Sequence, residues 1–384
     1  MSLDMVKARE LFEQSTDFTV GIEEEFQILD SESLELTQRF EELRDAAVAS
    51  GTELGTSVAG ELISSEIEIR SGRGENFPHA VALQESFRSG LFELADEHGL
   101  RLGALGAHPF SRWQDQQIID TEHYRLVEEG LKYVAWRNNT FSLHVHVGVR
   151  GADRAIAVCD RIREVLPELL AISASSPFVD GIDSGLATAR TQLFTRMFPR
   201  CGIPEPFVDW SEYSSFVEFL KDVGSVVEST QLWWSVRPHH SYGTVEVRIC
   251  DAQPTAEAST ALAGLIVACV AQAARDFDEG RPFAPRSGRE LEENFWRAIR
   301  FGQDGKLIDF ETRSEYPAAA AAERLLKWTE PARAELGIEP QIAERNTAQE
   351  LRYHLQSGVD LREIFAQAVA ETRASYGRSG ARTA

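Results

Sequence analysis

Four short stretches of the sequence alternate between apolar and ionisable residues with a repeat of two. Successive side chains of a β-strand point to opposite faces, so this repeat predicts four strands with one apolar and one charged face. In one stretch, Ile67 and Ile69 alternate with Glu66, Glu68 and Arg70. The four stretches are Thr19–Ile28, Ile63–Arg70, Phe141–Arg150 and Thr244–Asp251. If they share one sheet, one of its surfaces gathers carboxylates, imidazoles and guanidinium groups.

The composition of this charged surface favours a metal site. Two like charges about 4 Å apart repel by roughly 4 kcal/mol at an effective dielectric constant near 20, so clustered carboxylates need protons or a cation. Oxygen-rich clusters suit hard cations such as Mg²⁺ or Mn²⁺. The alternative is a solvated polar face, which antiparallel sheets often have. The stretches contain no lysine, and the candidate site residues are Glu23, Glu25, Glu66, Glu68, Arg70, His144, His146, Glu246 and Arg248.

The chain of 384 residues is long enough for a large core, and nothing in its composition marks a linker or an internal repeat. We therefore expect one domain over residues 1–384, with a disordered tail over about 377–384. No uninterrupted apolar run reaches the ~18 residues that a membrane span needs. Residues 1–14 lack the apolar core of a signal peptide. These observations predict a cytoplasmic protein.

The net charge of −22, from 39 basic and 61 acidic residues, restricts the possible partners. Such a surface repels nucleic-acid phosphates and anionic membranes, so we expect neither as a partner. The same charge repels ATP, which means that a nucleotide site would need local arginines and metal ions. Small molecules are the expected ligands.

The four cysteines form no C-x-x-C pair, and their spacing matches no zinc or disulfide framework. Reduced thiols in a reducing compartment are expected. Alternation places Cys250 on the polar side of its strand, near Arg248, where it is a minor candidate for a catalytic nucleophile.

The remaining patterns predict a fold in which most strands come early and most helices come late. Leu232–Arg237 alternates and precedes a Pro-His-His-Ser-Tyr-Gly turn, which predicts a hairpin that places Arg237 beside Glu246. Residues 255–376 have a helical pattern throughout. Further predictions are helices over Glu41–Ala49, Ala80–Glu97, Asp115–Lys132 and Asp153–Ala174, and strands over Ala59–Arg70 and Leu100–Ala107. This order is typical of an α+β fold with a largely antiparallel sheet.

Familiar phosphate-binding and protease motifs are absent: there is no G-x-x-x-x-G-K-[ST], no G-x-G-x-x-G after a strand and no H-E-x-x-H. The pair His144 and His146 alone could be half of a zinc site, or two satisfied half-buried histidines. The glutamate majority favours Mg²⁺ bound to a phosphorylated substrate. The arginines are either anion-binding groups or partners in structural salt bridges; beside Arg70 and Arg248, weaker candidates are Arg137, Arg190 and Arg237.

Three motifs in consistent order resemble those of a known family. They are Thr19-Val-Gly-Ile-Glu-Glu-Glu-Phe, Leu143-His-Val-His-Val-Gly and Arg237-Pro-His-His-Ser-Tyr-Gly-Thr-Val-Glu-Val-Arg-Ile-Cys-Asp, and Asn294-Phe-Trp-Arg-Ala-Ile-Arg-Phe-Gly resembles a further family segment. The family is that of the carboxylate–amine ligases of the glutamate–cysteine ligase type 2 group. The resemblance covers about residues 17–370. It implies a glutamine-synthetase-like α+β fold: a largely antiparallel curved sheet with helices packed on its outer face, and ATP and metal ions against the concave face.

The resemblance also implies a reaction. ATP phosphorylates the γ-carboxylate of L-glutamate, and the amine of L-cysteine displaces phosphate to give γ-glutamylcysteine. Mg²⁺ or Mn²⁺ would be the metal, and a homodimer is possible. By position, the metal ligands would be Glu23, Glu25, Glu68, Glu246 and His144, and Arg248 would act with Glu246 in catalysis at the transferred phosphate. Glu66 and His146 lie on the same face and would contact ATP or substrate, and Arg190 would bind glutamate. The residue pattern, and not the resemblance, adds Arg70, Arg137 and Arg237 as candidates for contact with ATP or substrate. Two rival hypotheses are a metal-dependent hydrolase that uses the His-x-His strand, and a non-catalytic acidic binding protein.

Overall fold

The predicted strands do pair into one antiparallel sheet. A computed structural model describes residues 3–378 of the chain, so most of the tail predicted to be disordered lies outside the described residues. Within them, seven strands form the main sheet: β1 Val20–Asp30, β2 Val58–Ala59, β3 Glu66–Arg70, β4 Leu100–Gly103, β5 Ser142–Gly148, β10 Val236–His239 and β11 Thr244–Asp251. Their order in the sheet is β10-β11-β5-β1-β3-β2, and β4 also pairs with β1.

The register of these strands brings the predicted site residues together. On β1, Glu23 lies opposite His144 of β5 and opposite Arg70 of β3. Glu25 is the next residue on the same face, and it lies opposite Glu68. On the other side of β5, the Cα atom of Glu246 pairs with that of His146. The predicted hairpin is also present, and it places Arg237 opposite Glu246.

Small two-stranded sheets lie outside the main sheet. They are β6 Phe178–Val179 with β7 Ile182–Asp183, β8 Cys201–Gly202 with β9 Trp233–Trp234, and β12 Lys306–Asp309 with β13 Ser314–Pro317. The hairpin β12–β13 interrupts the region 255–376 that was predicted to be helical throughout, so that prediction was wrong at this point.

The described residues also form helices. They are α1 Met5–Glu13, α2 Phe40–Ala49, α3 Leu54–Ser57, α4 Phe77–Glu97, α5 Glu122–Leu131, α6 Tyr133–Trp136, α7 Ala152–Arg163, α8 Leu166–Ser173, α9 Ala189–Leu193, α10 Trp210–Asp222, α11 Ala256–Asp278, α12 Gly288–Phe301, α13 Ala321–Trp328, α14 Glu330–Leu336, α15 Thr347–Gln356 and α16 Leu361–Tyr376, with 3₁₀ turns at Trp113–Asp115, Ser229–Gln231, Gly302–Asp304 and Ala318–Ala320.

Helices pack against the apolar face of the sheet and leave its charged face open to a cavity. Leu143, Val145 and Val147 of β5 are buried in a hydrophobic core that residues of α7 and α11 complete. α4 and α16 cover β1 and β4 on the same side of the sheet. The predicted α+β architecture, an antiparallel sheet with helices on its outer face, is confirmed.

Several predicted boundaries were wrong for local reasons. The strand predicted over Ala59–Arg70 is a hairpin, because Val58 pairs with Ile69 and the chain turns between β2 and β3. The helix predicted over Asp115–Lys132 begins only at Glu122, where Thr121 caps it by accepting a hydrogen bond from the Tyr124 amide.

Three further predicted elements are divided or shorter than expected. The helix over Asp153–Ala174 is divided into α7 and α8, and Pro167 lies in the first turn of the second helix. The strand that was predicted to reach Ala107 ends at Gly103. The segment Leu232–Arg237 is likewise split between β9 and β10.

A β-bulge in β11 corrects the placement of Cys250. Val247 pairs with Val145 and Cys250 pairs with Leu143, so β11 has one more residue than β5 between these pairs. The bulge shifts the alternation and turns Cys250 into the hydrophobic core. Burial raises the pKa of its thiol to about 12, so the suggestion of a nucleophile was wrong.

Helix α11 is long and apolar enough, by length and composition, to cross a membrane. Its most apolar 18-residue window is, however, 78% buried inside the fold. Because α11 packs against α7 and β5, we describe it as a core helix.

Candidate active site

The charged face of the sheet forms the floor of a cavity of about 350 Å³. All but one of the residues predicted from the sequence line this cavity. They are Glu23, Glu25, Glu66, Glu68, Arg70, His144, His146, Arg190, Arg237, Glu246 and Arg248. Residues that lie far apart in the sequence therefore meet in one place.

Arg137 is the exception. Its guanidinium group lies 3.5 Å from the Asp180 carboxylate and over the ring of Trp113, and it is not part of the cavity lining. The neighbouring Asn138 lines the cavity instead. The substrate-binding role predicted for Arg137 has no support from this position.

Three overlapping groups of side chains place potential ligand atoms within 4.8 Å of one another. Each group contains carboxylates, and two of them add one imidazole. The groups are Glu23, Glu68 and His144; Glu23, His146 and Glu246; and Glu25, Glu61 and Glu68. Sharing of Glu23 and Glu68 makes them one continuous acidic cluster.

Glu61 is a site residue that the sequence reasoning missed. It lies in the turn between β2 and β3, and it lines the cavity with Glu25 and Glu68. The segment was read as one strand, and in that reading Glu61 would share the apolar face with Ile67 and Ile69. The sequence does contain one signal of this turn, because Gly60 directly precedes Glu61 and glycine is common in turns.

The acidic cluster retains protons when no cation is present. Burial, with the charge of Glu25, raises the pKa of Glu61 to about 8. Burial and neighbouring carboxylates also raise the pKa values of Glu66 and Glu68 well above the ordinary value. These shifts have the direction expected of carboxylates that a divalent cation would neutralise.

Glu23 differs from the rest of the cluster because two imidazoles face it. Its carboxylate lies 3.3 Å from Nδ1 of His144 and 3.4 Å from Nε2 of His146. Burial alone would raise the pKa of Glu23, but His146 and His144 together lower it well below the ordinary value. The carboxylate is therefore charged and ready to bind a cation.

The two histidines have opposite electrostatic environments although both are buried. Burial and Arg248 lower the pKa of His144, which leaves its imidazole neutral and able to act as a ligand. Burial alone would lower the pKa of His146, but Glu246 and Glu23 raise it. His146 therefore tends to carry a proton when the cavity holds no cation.

Hydrogen bonds fix the orientation of Glu25 and His144. The backbone amide and hydroxyl of Ser142 both donate to Glu25, the hydroxyl at 2.7 Å. The same hydroxyl lies 2.8 Å from Nε2 of His144. Ser142 thus connects the two side chains from the end of β5, and such supporting contacts hold metal ligands in place.

Glu246 lies between two arginines. Nε of Arg237 donates to it at 2.7 Å, and Nη1 of Arg248 donates to its other oxygen. Burial alone would raise the pKa of Glu246, but Arg237 and Arg248 lower it well below the ordinary value. This arrangement keeps Glu246 ionised and holds Arg248 against the floor of the cavity.

Two guanidinium groups still have hydrogen-bonding capacity. Nε of Arg248 and Nε of Arg190 are buried and have no hydrogen-bond partner among the described residues. The other nitrogens of Arg190 donate to the backbone carbonyls of Ile249 and Arg248, at the bulge in β11. Because a buried donor without an acceptor is costly, both Nε groups are suited to an anionic ligand.

One end of the cavity is aromatic. Phe194, Phe198 and Trp233 line it and contact one another edge-on or tilted, with ring centroids 4.6 and 5.3 Å apart. The cavity thus combines an acidic floor, guanidinium groups and an apolar wall. These three features suit a small organic anion together with a polyphosphate.

The residues present fit a divalent cation. The clusters offer carboxylate oxygens and at most one imidazole each, which is the donor set that Mg²⁺ and Mn²⁺ prefer. Burial and neighbouring carboxylates raise the pKa values of Glu61, Glu66 and Glu68, and a bound cation would offset this crowding of negative charge. A zinc site, which favours several nitrogen or sulfur ligands, fits less well.

Comparison with known proteins agrees with this geometry. The model of the glutamate-cysteine ligase family 2 matches residues 19–374. The chain belongs to glutamate-cysteine ligase family 2. A relative in this family from Solibacter usitatus, provisionally named glutamate–cysteine ligase 2, is 36% identical over 326 residues, which are 85% of this chain and 84% of the relative.

Solved structures share the fold of this family 2 chain at low sequence identity. A glutamate–cysteine ligase from Francisella tularensis, solved in complex with AMP, has a TM-score of 0.66 at 12% identity, and the match covers 94% of this chain and 90% of that one. A bifunctional glutathione synthetase from Pasteurella multocida has a TM-score of 0.65 at 12% identity. That match covers 97% of this chain but spans about half, 54%, of the synthetase. The predicted family and fold are confirmed.

Proposed function

We propose that the protein is an ATP-dependent carboxylate–amine ligase, with L-glutamate as the carboxylate donor and L-cysteine as the amine acceptor. The observation that carries the proposal is that three carboxylate clusters and two arginines, Arg190 and Arg248, line one cavity. Family membership and the AMP-bound structural neighbour support the same reaction class.

The proposed reaction needs charge neutralisation more than a protein nucleophile. Transfer of the γ-phosphoryl group of ATP to a carboxylate gives an acyl phosphate, and the amine then displaces phosphate. Mg²⁺ held by Glu23, Glu25 and Glu68 would neutralise the phosphate oxygens. The described cysteines offer no nucleophile, because Cys159, Cys250 and Cys269 are buried and the Cys201 thiol donates to the Trp233 carbonyl. The protein's own contribution would be to position the substrates and to exclude water.

Arg248 and Arg190 have separate roles in this scheme. Arg248 lies against the acidic floor through Glu246, so its free Nε is positioned to donate to the phosphoryl group in transfer. Arg190 lies beside Phe194 and lines the same cavity, so its guanidinium group would suit the carboxylate of the donor. The aromatic end of the cavity would then accommodate the body of an organic substrate.

The hydrolase hypothesis receives less support. Its zinc ion would need several nitrogen ligands, but His144 and His146 occur in different clusters of the described residues, each with glutamates. His146 instead approaches Glu246 and Glu23. We therefore propose the ligase as the single function, acting in the cytoplasm where ATP is available.

A donor–acceptor matrix tests the proposal. The purified chain is incubated with ATP and Mg²⁺, with and without L-glutamate and with a panel of amines that includes L-cysteine, and ADP release and product mass are recorded. We expect ADP release that requires both a carboxylate and an amine. ADP release that is independent of the amine, or none with any pair, would contradict the proposal; release with an amine other than cysteine would keep the ligase and change its acceptor.

A further inference from the structure

Glu24, the remaining glutamate of β1, points away from the cavity. It lies between Glu23 and Glu25, and its side chain is 4% exposed, on the face of the sheet that packs against helices. Consecutive side chains of a strand project to opposite faces. Whatever holds Glu24 therefore also fixes the backbone from which Glu23 and Glu25 reach the cavity.

Glu24 is held by donors from two helices. From α4, Arg88 donates through Nε at 2.8 Å and through Nη2 at 2.6 Å, and Gln84 donates through Nε2 at 2.9 Å. From α11, the hydroxyl of Ser259 donates to Oε1 of Glu24, the oxygen that Nη2 of Arg88 also contacts. Arg88 is fixed in turn by Thr260, whose hydroxyl accepts a hydrogen bond at 3.2 Å.

The network reaches the second acidic strand as well. Gln84 also donates to the backbone carbonyl of Ile69 on β3, at 3.2 Å. Ile69 lies between Glu68 and Arg70 and is the partner of Glu24 in the register of the sheet. One buried cluster thus holds β1 and β3 together at the pair Glu24 and Ile69. The adjacent pair, Glu25 and Glu68, lies on the face of the sheet that lines the cavity.

Stability alone does not require such a cluster. Replacement of a buried ion pair by apolar residues of similar volume is often neutral or stabilising, whereas a bidentate carboxylate–guanidinium pair specifies position and orientation. On the opposite face, the carboxylates of Glu25, Glu61 and Glu68 lie close together, and in their ionised forms they would repel one another and tend to separate β1 from β3. A device that fixes these two strands is therefore valuable at this position.

We propose that Glu24 and Arg88 are positioning residues that set the spacing of the cation-binding carboxylates from behind the sheet. The proposal rests on the proposed function, because it assumes that the cavity binds divalent cations. Neither residue lines the cavity. Loss of the pair is expected to weaken cation binding while the fold persists, and a purely structural pair would not show this effect.

The test measures binding of Mn²⁺ alone by electron paramagnetic resonance, together with the melting temperature. The double variant Glu24→Leu/Arg88→Met removes both charges without leaving one buried and unpaired. We expect a melting temperature close to that of the wild type and a Mn²⁺ dissociation constant at least tenfold higher. Ser259→Ala, which removes one donor and keeps the pair, should raise the constant two- to fivefold.

A matched control separates this effect from a general loss of buried polar contacts. Asp276 of α11 is also buried, and it accepts hydrogen bonds from Trp328 at 3.0 Å and Gln272 at 2.8 Å, remote from the cavity lining. Asp276→Asn should leave Mn²⁺ binding unchanged even if the melting temperature falls.

Each outcome decides between the alternatives. Mn²⁺ constants within twofold of the wild type in the folded double variant would overturn the positioning role and leave the ligase proposal intact. If the double variant does not fold, the Ser259→Ala variant decides alone. A Mn²⁺ dissociation constant raised at least twofold in this variant would support the positioning role, and an unchanged constant would overturn it. A wild-type chain that binds no Mn²⁺ would overturn both, whereas Mn²⁺ binding without ligase activity would remove the proposed function only.

Discussion

The carboxylate of Glu246 is bound by Arg237, the residue directly opposite it on the neighbouring strand, at 2.7 Å. Both side chains are less than one-tenth exposed. The pair joins the last hairpin of the sheet to the acidic floor, and Arg248 adds a second guanidinium to the same carboxylate. Glu246 therefore has a structural task beside any contact with a cation.

This double task predicts that Glu246→Gln loses stability as well as activity. The amide would leave Arg237 and Arg248 buried with no charged partner, at a cost of about 3–5 kcal/mol in the free energy of unfolding. Urea denaturation measures this cost. The control is Glu315→Gln, since the Glu315 carboxylate pairs with Arg297 at the surface, and it should lose less than about 1 kcal/mol. Equal stability of Glu246→Gln and wild type would contradict the account.

The acidic cluster predicts a pH-dependent stability in the absence of metal. Burial and Glu25 raise the pKa of Glu61 from 4.5 to about 8, so the folded chain binds more protons than the unfolded chain between these values and loses stability as the pH rises. In EDTA, Glu61→Gln should therefore melt higher than the wild type. The difference should grow from about pH 6.5 to pH 8.

Scanning calorimetry of both proteins at several pH values measures the difference. Histidine titration affects both proteins alike and cancels in the comparison. Added Mg²⁺ should reverse the order, because the wild type gains stability from a bound cation and Glu61→Gln gains less. A difference that is constant with pH would show that Glu61 is not a titrating member of the cluster.

Arg190 is predicted to stabilise the bulge from which Arg248 extends. In Arg190→Gln, the carbonyls of Arg248 and Ile249 lose their donors, and the buried Asp251, 3.8 Å away, loses its nearest guanidinium. We expect a loss of about 3 kcal/mol in the free energy of unfolding, together with reduced ligase activity.

Arg196 provides the control for this variant. It pairs with Glu292 at 2.7 Å in the same region, but both side chains are more than one-third exposed. Arg196→Gln should therefore cost less than about 1 kcal/mol. If the two variants were equally stable, Arg190 would not support the bulge, and its guanidinium would serve the substrate alone.

The site residues that lie on regular strands could be predicted from period-two alternation and from the motifs. Glu23, Glu25, Glu68, His144 and Glu246 lie on strands whose other face is apolar, and their register follows from burial of that face. Alternation failed where the backbone departs from a regular strand. Glu61 lies in a turn and Cys250 follows a bulge, and neither feature has a strong signal in a single sequence.

Long-range partners were also hidden from the sequence. Arg137 precedes the His-x-His strand, yet its charge pairs with Asp180, which lies 43 positions further along the chain. Glu24 was not singled out, although it lies in phase with apolar Ile22 and Phe26. A charged residue in an apolar phase indicates a buried partner, but only the packing of α4 shows that this partner is Arg88.

The central claim is that carboxylates from separate strands jointly bind divalent cations. Mn²⁺ titration followed by electron paramagnetic resonance, on the wild type, Glu25→Gln and the surface control Glu323→Gln, tests this claim most directly. We predict saturable binding in the wild type and the control, and a dissociation constant at least about 100-fold higher in Glu25→Gln, which keeps the size of the side chain but loses its charge. Equal binding by all three proteins would contradict the account.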